Sequence, residues 1–320
     1  MYPEVTGMIE VKNLCKSFSD HQVLTDFSLQ IPDGSVCGIV GPNGAGKTTT
    51  FRIIAGLLKA DSGEVLVDDT DIRFGSKDLI GYMPDFFGVY DKLRVAEYME
   101  FFASIYNIDA ARTAEKTESL LDLVGLSGLE NTYVDSLSRG MKQKLCLARC
   151  LIHDPRLLIL DEPASGLDPR ARIEFRDLIR KLHERGTTIL ISSHILSELA
   201  QMCTDICIIN NGKNVISGTV SDIEYRMTSS VKLVIKVTNG IQKAISVLNS
   251  DPLADKLSYS GNEIYVTYSG SHEEEAELLS RLTEEGAGVY SFGNDRGGLE
   301  DLFLEITDSK NNTGSDSYDF

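Results

Sequence analysis

The chain has 320 residues, which is enough for two domains, one of them with a full hydrophobic core. Its formal net charge of -17 argues against nonspecific binding to nucleic acid, which requires a basic surface. No basic and apolar leader opens the chain, and no apolar run approaches the roughly 18 residues that cross a bilayer. We therefore expect a protein that is cytosolic or peripheral on a membrane.

The six cysteines lie mostly inside apolar patterns. Cys146 and Cys150 are four residues apart, as are Cys203 and Cys207, so each pair suits one face of a helix. Neither pair has the C-x-x-C spacing of a metal site. We expect buried free thiols, which fit a reducing compartment.

The first predicted elements lead into a glycine-rich loop. After a short extension over residues 1–7, residues 9–11 alternate like a strand, and the run 23–31 ends at a Pro-Asp-Gly turn signal. Residues 36–40 are apolar and rich in β-branched side chains, which is typical of a buried parallel strand. A helix is predicted over 49–58.

The loop between that strand and that helix matches the phosphate-loop pattern G-x-x-x-x-G-K-[ST]. Its members are Gly41, Pro42, Asn43, Gly44, Ala45, Gly46, Lys47, Thr48 and Thr49. Glycines let the backbone wrap an anion, and the helix N-terminus adds about half a positive charge. Lys47 can reach the β- and γ-phosphates, and the Thr48 hydroxyl can ligate Mg²⁺. The loop predicts binding of a nucleoside triphosphate.

The middle of the chain reads as helical. Residues 63–67 predict a strand, and the stretch 80–85 is followed by a cluster of aromatic residues, Phe86, Phe87 and Tyr90. Amphipathic helices are predicted over 94–106 and 114–124. The apolar positions of the first of these helices are Val95, Tyr98, Met99, Phe102 and Ile105. Because strand signals are missing from about 86 to 154, we predict a helical insertion there.

The next predicted strand is followed directly by two carboxylate residues. The stretch Leu-Ser-Arg-Gly-Met at 137–141 precedes a helix, and the apolar run 157–160 then leads directly into Asp161 and Glu162. A buried strand ending in carboxylates is where a phosphate-loop enzyme holds Mg²⁺. We predict that Asp161 serves the metal and that Glu162 polarises the attacking water.

A histidine marks the end of the next predicted strand. Residues 165–169 precede a charged amphipathic helix over 170–185, and the apolar strand 187–191 runs into Ser-Ser-His. Ligands collect at the carboxyl edge of an open α/β sheet, so a neutral His194 there could contact the γ-phosphate. A hairpin over 205–215, turning at Asn-Asn-Gly, closes the first domain.

The pattern changes from about residue 231. Strands are predicted over 231–237, 257–259, 264–268 and 289–292, with helices over 241–248 and from a capping box at Ser271. The order β-α-β-β-α-β suggests a small ferredoxin-like α+β domain. We place the domains at 1–220 and 221–308, and predict that the Ser-, Asn- and Asp-rich tail 309–320 is disordered.

The motifs from about residue 8 to 218 resemble the ATP-binding subunit of an ABC transporter. The phosphate loop is similar to Walker A, 157–162 to Walker B, 137–141 to the ABC signature, and 165–168, with Asp168, to the D-loop. His194 matches the switch histidine, and Phe18 stands where the family places an aromatic that stacks on the base. The resemblance implies a phosphate-loop α/β fold with a mixed sheet and a helical subdomain.

Two positions depart from the family pattern. Asp85 stands where a Gln usually contacts Mg²⁺ and water, and a carboxylate is a harder but shorter ligand. Arg139 stands where the signature usually has a second Gly, and Met141 replaces a Gln. We expect Asp85 to tune hydrolysis without abolishing it. Ser138 and Gly140, the two residues expected to contact phosphate, are retained. We therefore predict that Arg139 is a surface variation and not a loss of the signature.

The resemblance implies an ATPase that uses ATP and Mg²⁺ and that works as a pair. Ser138, Arg139 and Gly140 of one subunit would face the ATP of a second subunit, as a homo- or heterodimer. The pair would drive a separate membrane-spanning permease, in an exporter-like system, from the inner face of the cell membrane. The aromatic patch of Tyr82, Phe86, Phe87 and Tyr90 would dock the permease; alternatively it is the core of the helical insertion.

Two other interpretations stay open. One is an ABC ATPase of the translation or DNA-repair kind, but those proteins usually carry two ATPase domains, a long coiled coil or a zinc hook. The other is a subunit whose Asp85 and Arg139 make it a poor hydrolase. Residues 299–306 resemble the closing helix of drug- and ion-exporter ATPases, with a role in dimer contact or regulation, or as a passive appendage.

Overall fold

A computed structural model describes residues 7–72, 77–85, 88, 90, 92–223 and 231–295. The chain divides into two compact units, Met1–Val220 and Ser221–Phe320. The predicted features at Phe86, Phe87, residues 299–306 and the tail 309–320 lie outside the described residues.

An antiparallel sheet forms one layer of the first unit. Its strand order is β2-β1-β4-β5. Alternating apolar side chains give it one buried face, which explains why Ile9, Val11 and Phe27 are almost completely inaccessible. Its strands are β1 (Gly7–Phe18), β2 (His21–Pro32), β4 (Ser62–Val67) and β5 (Thr70–Asp71).

The central sheet of the first unit is mixed, in the order β10-β9-β3-β8-β7-β6. Strands β9, β3, β8, β7 and β6 run parallel, and β10 is antiparallel to β9. The parallel strands end at one edge, so the segments that follow β3, β6, β7 and β8 gather there. The strands are β3 (Val36–Val40), β6 (Ile80–Met83), β7 (Leu157–Leu160), β8 (Thr188–Ser193), β9 (Asp205–Asn210) and β10 (Lys213–Thr219).

Helices follow several of these strands. Helix α1 begins at Lys47 and not at the predicted Thr49, because Gly46 already serves as its N-cap. Among the described residues between β6 and β7, in the region predicted to be helical, lie three α-helices and a short 3₁₀ helix, Val134–Ser136. The helices of this unit are α1 (Lys47–Ile54), α2 (Val95–Ile105), α3 (Ala110–Leu123), α4 (Arg139–Leu151), α5 (Pro169–Glu184) and α6 (Leu196–Ala200).

The buried face of α2 differs from the prediction at one position. Val95, Tyr98 and Met99 are fully buried as expected, but Ile105 is 57% exposed. Ile105 is the last residue of the helix and lies past Ala103, which takes the final buried place. Ile105 therefore follows the apolar spacing of α2 but lies outside its buried face.

The cysteines are free thiols, as expected, but two of them are less buried than predicted. Cys37, Cys146, Cys150 and Cys207 are buried, whereas Cys15 and Cys203 are half-buried. Burial raises the pKa of the Cys207 thiol well above its usual range, which keeps it protonated and unreactive.

The second unit is a small α+β fold. Its antiparallel sheet has the order β12-β13-β11-β14, the arrangement of a ferredoxin-like β-α-β-β-α-β unit. Ser271 forms the predicted capping box with Glu274, and apolar side chains such as Leu278 form the core. Its elements are β11 (Val231–Val237), α7 (Ile241–Asn249), β12 (Ala254–Ser260), β13 (Glu263–Tyr268), α8 (His272–Glu284) and β14 (Val289–Asp295).

Candidate active site

The phosphate loop leaves β3 and turns sharply into α1. Gly46 is the N-cap of α1 and has a φ of 110°, a backbone conformation that L side chains rarely adopt. A Cβ on Gly46 would also lie 2.7 Å from Leu24 Cδ2 on the neighbouring sheet. The loop therefore needs glycine at this position for two separate reasons.

A turn that is distant in sequence is hydrogen-bonded to the phosphate loop. The N–H of Gly212, between β9 and β10, donates to the Ala45 carbonyl at 3.0 Å, and the Gly212 carbonyl accepts from the Thr25 N–H at 3.0 Å. Gly212 has a φ of 72°, and a Cβ there would lie 2.1 Å from the Val23 carbonyl. The turn thus connects the phosphate loop with β2.

Lys47 lies across the mouth of the loop. Its Nζ donates to the carbonyls of Gly41 at 2.7 Å and Pro42 at 3.3 Å. The same Nζ is 3.4 Å from Glu162 Oε1, and the residue is only 6% exposed. A nearly buried ammonium with these partners is held where an anion in the loop would meet it.

Asp161 is a buried carboxylate with an unused oxygen. It follows β7 directly and is 0% exposed. Its Oδ1 accepts from Ser192 Oγ at 2.8 Å, but Oδ2 has no hydrogen-bond partner. Burial raises the pKa of Asp161, nearby hydroxyls of Ser192 and Thr48 lower it, and the charges of Asp85 and Glu162 raise it again. An uncompensated buried carboxylate oxygen is a ready ligand for a cation.

Glu162 joins the loop to the end of β8. Its backbone φ of 48° is unusual for a side chain of this size, and its N–H donates to Ser192 Oγ at 2.8 Å. One carboxylate oxygen faces Lys47, and the other accepts from His194 Nδ1 at 2.8 Å. The Glu162 carboxylate is thus held on both sides at the carboxyl edge of the sheet.

The remaining predicted site residues differ in their exposure. Asp85, just after β6, is exposed, and its charge acts on Asp161. Thr48 lies in the first turn of α1. Phe18, at the end of β1, is 48% exposed, with Lys16 Nζ 5.4 Å from its ring centroid. An exposed ring of this kind is free to stack on a flat partner.

The signature residues contact a different part of the chain. Ser138 is the N-cap of α4 and accepts from the Met141 N–H at 3.3 Å. Arg139 is exposed, yet its Nη2 donates to the Ser165 carbonyl at 2.9 Å, so it is more than a surface variation. Asp168 is the N-cap of α5 and accepts from the Ala171 N–H at 2.9 Å.

Two residues that contact the candidate site residues were not predicted from the sequence. Ser192 bridges the two acidic residues, since its hydroxyl donates to Asp161 and accepts from the Glu162 N–H. Gln143 is buried, and its Nε2 lies 3.4 Å from the Ser165 carbonyl. A serine closing an apolar strand beside the acidic strand was the available signal for Ser192; Gln143 gave none.

The site combines a phosphate loop after β3, a buried acid at the end of β7, two strands away in the sheet, and a paired glutamate. These features define a nucleotide-hydrolysing α/β protein. A family model described as ABC transporter matches residues 24–165. The chain is 35% identical over 304 residues to the ABC transporter ATP-binding protein YhcH of Bacillus subtilis, covering 94% of this chain and 96% of that one.

Two further comparisons agree. The Nod factor export ATP-binding protein I of Cupriavidus metallidurans is 30% identical over 306 residues, covering 95% of this chain and 98% of the relative. A solved structure described as the ATP binding subunit of an ABC transporter superposes with a TM-score of 0.62 at 28% identity, covering 69% of this chain and 93% of that chain.

The chain belongs to the ABC transporter family as an ATP-binding subunit. It binds ATP and is an ATPase, so the predicted family, fold class and enzyme class are confirmed. Within the described ranges, none of the helices has both the length and the apolar character that crossing a membrane requires.

Proposed function

We propose that this chain powers an exporter whose membrane-spanning permease is a separate protein. Support for export comes from the Nod factor export protein, which matches over nearly its whole length. The chain belongs to its family as an ATP-binding subunit, so we assign the passage across the membrane to a partner protein. The ATPase domain would be 1–220, and 221–308 an accessory domain.

The position of the Glu162 carboxylate carries the hydrolytic part of the proposal. It lies 3.4 Å from Lys47 Nζ and 2.8 Å from His194 Nδ1. In this position Glu162 would orient and deprotonate the water that attacks the γ-phosphate, while Lys47 offsets the triphosphate charge and His194 keeps the carboxylate aimed. Phe18 would stack on the base.

The donor set fits Mg²⁺. Asp161 offers a buried oxygen without a hydrogen-bond partner, Thr48 offers a hydroxyl, and Asp85 adds a nearby carboxylate. Hard oxygen donors are the ligands that Mg²⁺ prefers, usually with several waters retained. When bound, the ion would neutralise part of the triphosphate charge. We propose that these three residues hold it.

A pair of chains would complete each site. In the part of the chain that is described, Ser138 and Arg139 bond to Met141 and Ser165, and not to the phosphate loop. The N-terminus of α4, at Ser138, is suited to an anion. We therefore propose a head-to-tail dimer, homo- or heteromeric, in which Ser138, Arg139 and Gly140 face the partner's ATP.

An exposed aromatic surface on α2 suits the permease. Tyr90 is 51% exposed and packs edge-on against Phe101, at 5.2 Å between ring centroids, and Phe101 is itself 42% exposed. Tyr82, in β6, is half-buried. We propose this surface, close in sequence to Asp85, as the permease dock, which would place the subunit on the inner face of the cell membrane.

Trapping the ATP-bound pair tests this proposal. Glu162→Gln should lower kcat by about 10²–10³-fold and accumulate an ATP-dependent dimer, measured by ATP turnover and size-exclusion chromatography with and without ATP. The full-length chain should also copurify with a multi-spanning membrane protein. Full activity in monomers that are held apart would contradict the dimer. A wild type that already behaves like the variant would favour the poor-hydrolase interpretation.

A further inference from the structure

Arg139 holds the D-loop of its own chain. The guanidinium lies 26 residues away in sequence from its acceptor, and its Nη2 donates to the Ser165 carbonyl at 2.9 Å. A hydrogen bond from a charged donor is about twice as strong as a neutral one. The contact therefore constrains the loop that follows Glu162.

The backbone of the D-loop leaves room for this guanidinium. Gly166 has a φ of 68°, and a Cβ built on it would lie 2.5 Å from both Cζ and Nη1 of Arg139. The flat guanidinium thus rests directly on the Gly166 backbone. Any side chain at this position would displace it.

The first turn of the signature helix packs on the same region. A Cβ on Gly140 would lie 3.4 Å from Ala171 Cβ and 3.5 Å from Leu167 Cδ2, so the Gly140 backbone is close to both. Gln143 Nε2 adds a second, longer contact to the Ser165 carbonyl, at 3.4 Å. The signature and the D-loop form one connected unit.

This unit is joined to the hydrolytic carboxylate. The Ser165 N–H donates to the Glu162 carbonyl at 3.0 Å. Ser165 is therefore bonded to Glu162 through its backbone N–H and to Arg139 through its backbone carbonyl. Glu162 itself holds a strained φ of 48°, which persists only where surrounding contacts impose it.

We propose that Arg139 is a positioning residue: it couples the signature to Glu162 through the D-loop, so that a triphosphate at the signature controls how firmly Glu162 is held for hydrolysis. This rests on the proposed function, in which the signature faces the ATP of a second chain. Each ATP would then favour hydrolysis of the other, which gives positive cooperativity.

Steady-state ATPase measurements on the full-length chain test the coupling. Arg139→Ala should lower kcat about tenfold and reduce the Hill coefficient towards one. KM for ATP should stay within about twofold, because the Arg139 guanidinium is bonded to Ser165 of its own chain and the other proposed ATP contacts are untouched. Arg139→Gln keeps a neutral donor for Ser165 and should restore part of kcat. Arg139→Lys keeps the charge without the planar group and should restore less.

Hydrogen exchange gives a readout that is independent of turnover. Amides of 164–168 in the full-length chain should exchange several-fold faster in Arg139→Ala than in wild type. Arg170→Ala is the matched control, because Arg170 is 90% exposed and pairs with Glu174 at 3.2 Å. It should change neither kinetics nor exchange.

The outcomes separate this inference from the proposed function. If Arg139→Ala retains the wild-type kcat, Hill coefficient and D-loop exchange while Glu162→Gln is inactive, the coupling is wrong and the ATPase stands. If the wild type shows no cooperativity and Glu162→Gln forms no ATP-dependent dimer, the paired site itself is wrong. Restoration by Arg139→Lys but not by Arg139→Gln would also overturn the coupling through Ser165.

Discussion

The two units of this chain bury different kinds of side chain. In the first unit, Lys47 and Asp161 are buried polar groups, and Asp161 Oδ2 has no hydrogen-bond partner. In the second unit, the core cluster is apolar, and the buried Asp251 is paired with Arg281. Burying a charge without full pairing costs stability, so it persists where a ligand uses it. The difference points to the first unit as the part shaped by chemistry.

Removing the buried cation should have the largest effect on activity. Lys47→Ala should lower kcat/KM for ATP by about 10³-fold, because the loop loses its charged donor to the phosphates. Lys144→Ala is the control, since Lys144 also forms a close ion pair, at 2.6 Å to Glu174, but outside the site. Steady-state ATPase assays check the prediction, and equal losses in both variants would contradict it.

A cavity created in the second unit should lower stability and leave ATPase activity nearly unchanged. Leu278 is fully buried on α8, so Leu278→Ala should destabilise this unit by about 2–5 kcal/mol. Hydrogen exchange should rise across 231–295, while kcat per folded chain stays within about twofold. A large loss of kcat in a chain that remains folded would show that the apolar unit takes part in turnover.

Neutralising the unsatisfied acid should separate stability from activity. Asp161→Asn should raise the unfolding free energy of the nucleotide-free chain by about 1–3 kcal/mol, because it removes a desolvated charge. The same change should abolish turnover. Urea denaturation without Mg²⁺ or ATP measures the first effect, with Asp177→Asn, a half-buried carboxylate that is paired with Arg180, as control. Destabilisation by Asp161→Asn would contradict the argument.

The difference in unfolding free energy between Asp161→Asn and the wild type should change with pH in one direction. Burial raises the pKa of Asp161, so the native state binds more protons than the unfolded state between the ordinary and the raised pKa. Stability of the wild type therefore falls as pH rises through that window. The advantage of Asp161→Asn should grow from acid towards neutral pH, and a constant difference would contradict this cause.

The smallest effect concerns a local helix signal in the second unit. Ser271 Oγ accepts from the Glu274 N–H, and Glu274 accepts from the Ser271 N–H at 2.7 Å. Ser271→Ala should cost about 1 kcal/mol of unfolding free energy and no activity. Ser280→Ala, within the same helix, should change stability by less than about 0.5 kcal/mol. Equal losses in both would show that the cap does not matter here.

Local signals in the sequence were enough to predict much of the fold. The phosphate loop, the apolar strand before Asp161 and the capping box at Ser271 each reside within a few residues, and each forms the element that was expected. The hairpin at Asn211 and Gly212 likewise has both residues at positive φ, as its sequence indicates.

Contacts between distant segments could not be read in this way. The pairing of β7 with β8 depends on tertiary packing, and Ser192 reaches Asp161 because of that pairing. The contact of Arg139 with Ser165 spans 26 residues, and nothing in either local pattern specifies it. The exposure of Ile105 likewise depends on where neighbouring elements stop covering the helix.

The turn at Gly212 imposes an order of events on biosynthesis. Every residue of the phosphate loop has been translated by Thr49, but the N–H that supports Ala45 comes from Gly212. The flanking strands β8 and β9 also emerge late, after residue 187. A nascent chain that ends before Gly212 contains the whole phosphate-loop sequence but lacks the hydrogen bond that supports the loop. We therefore expect ATP binding to begin only when the first unit is almost fully synthesised.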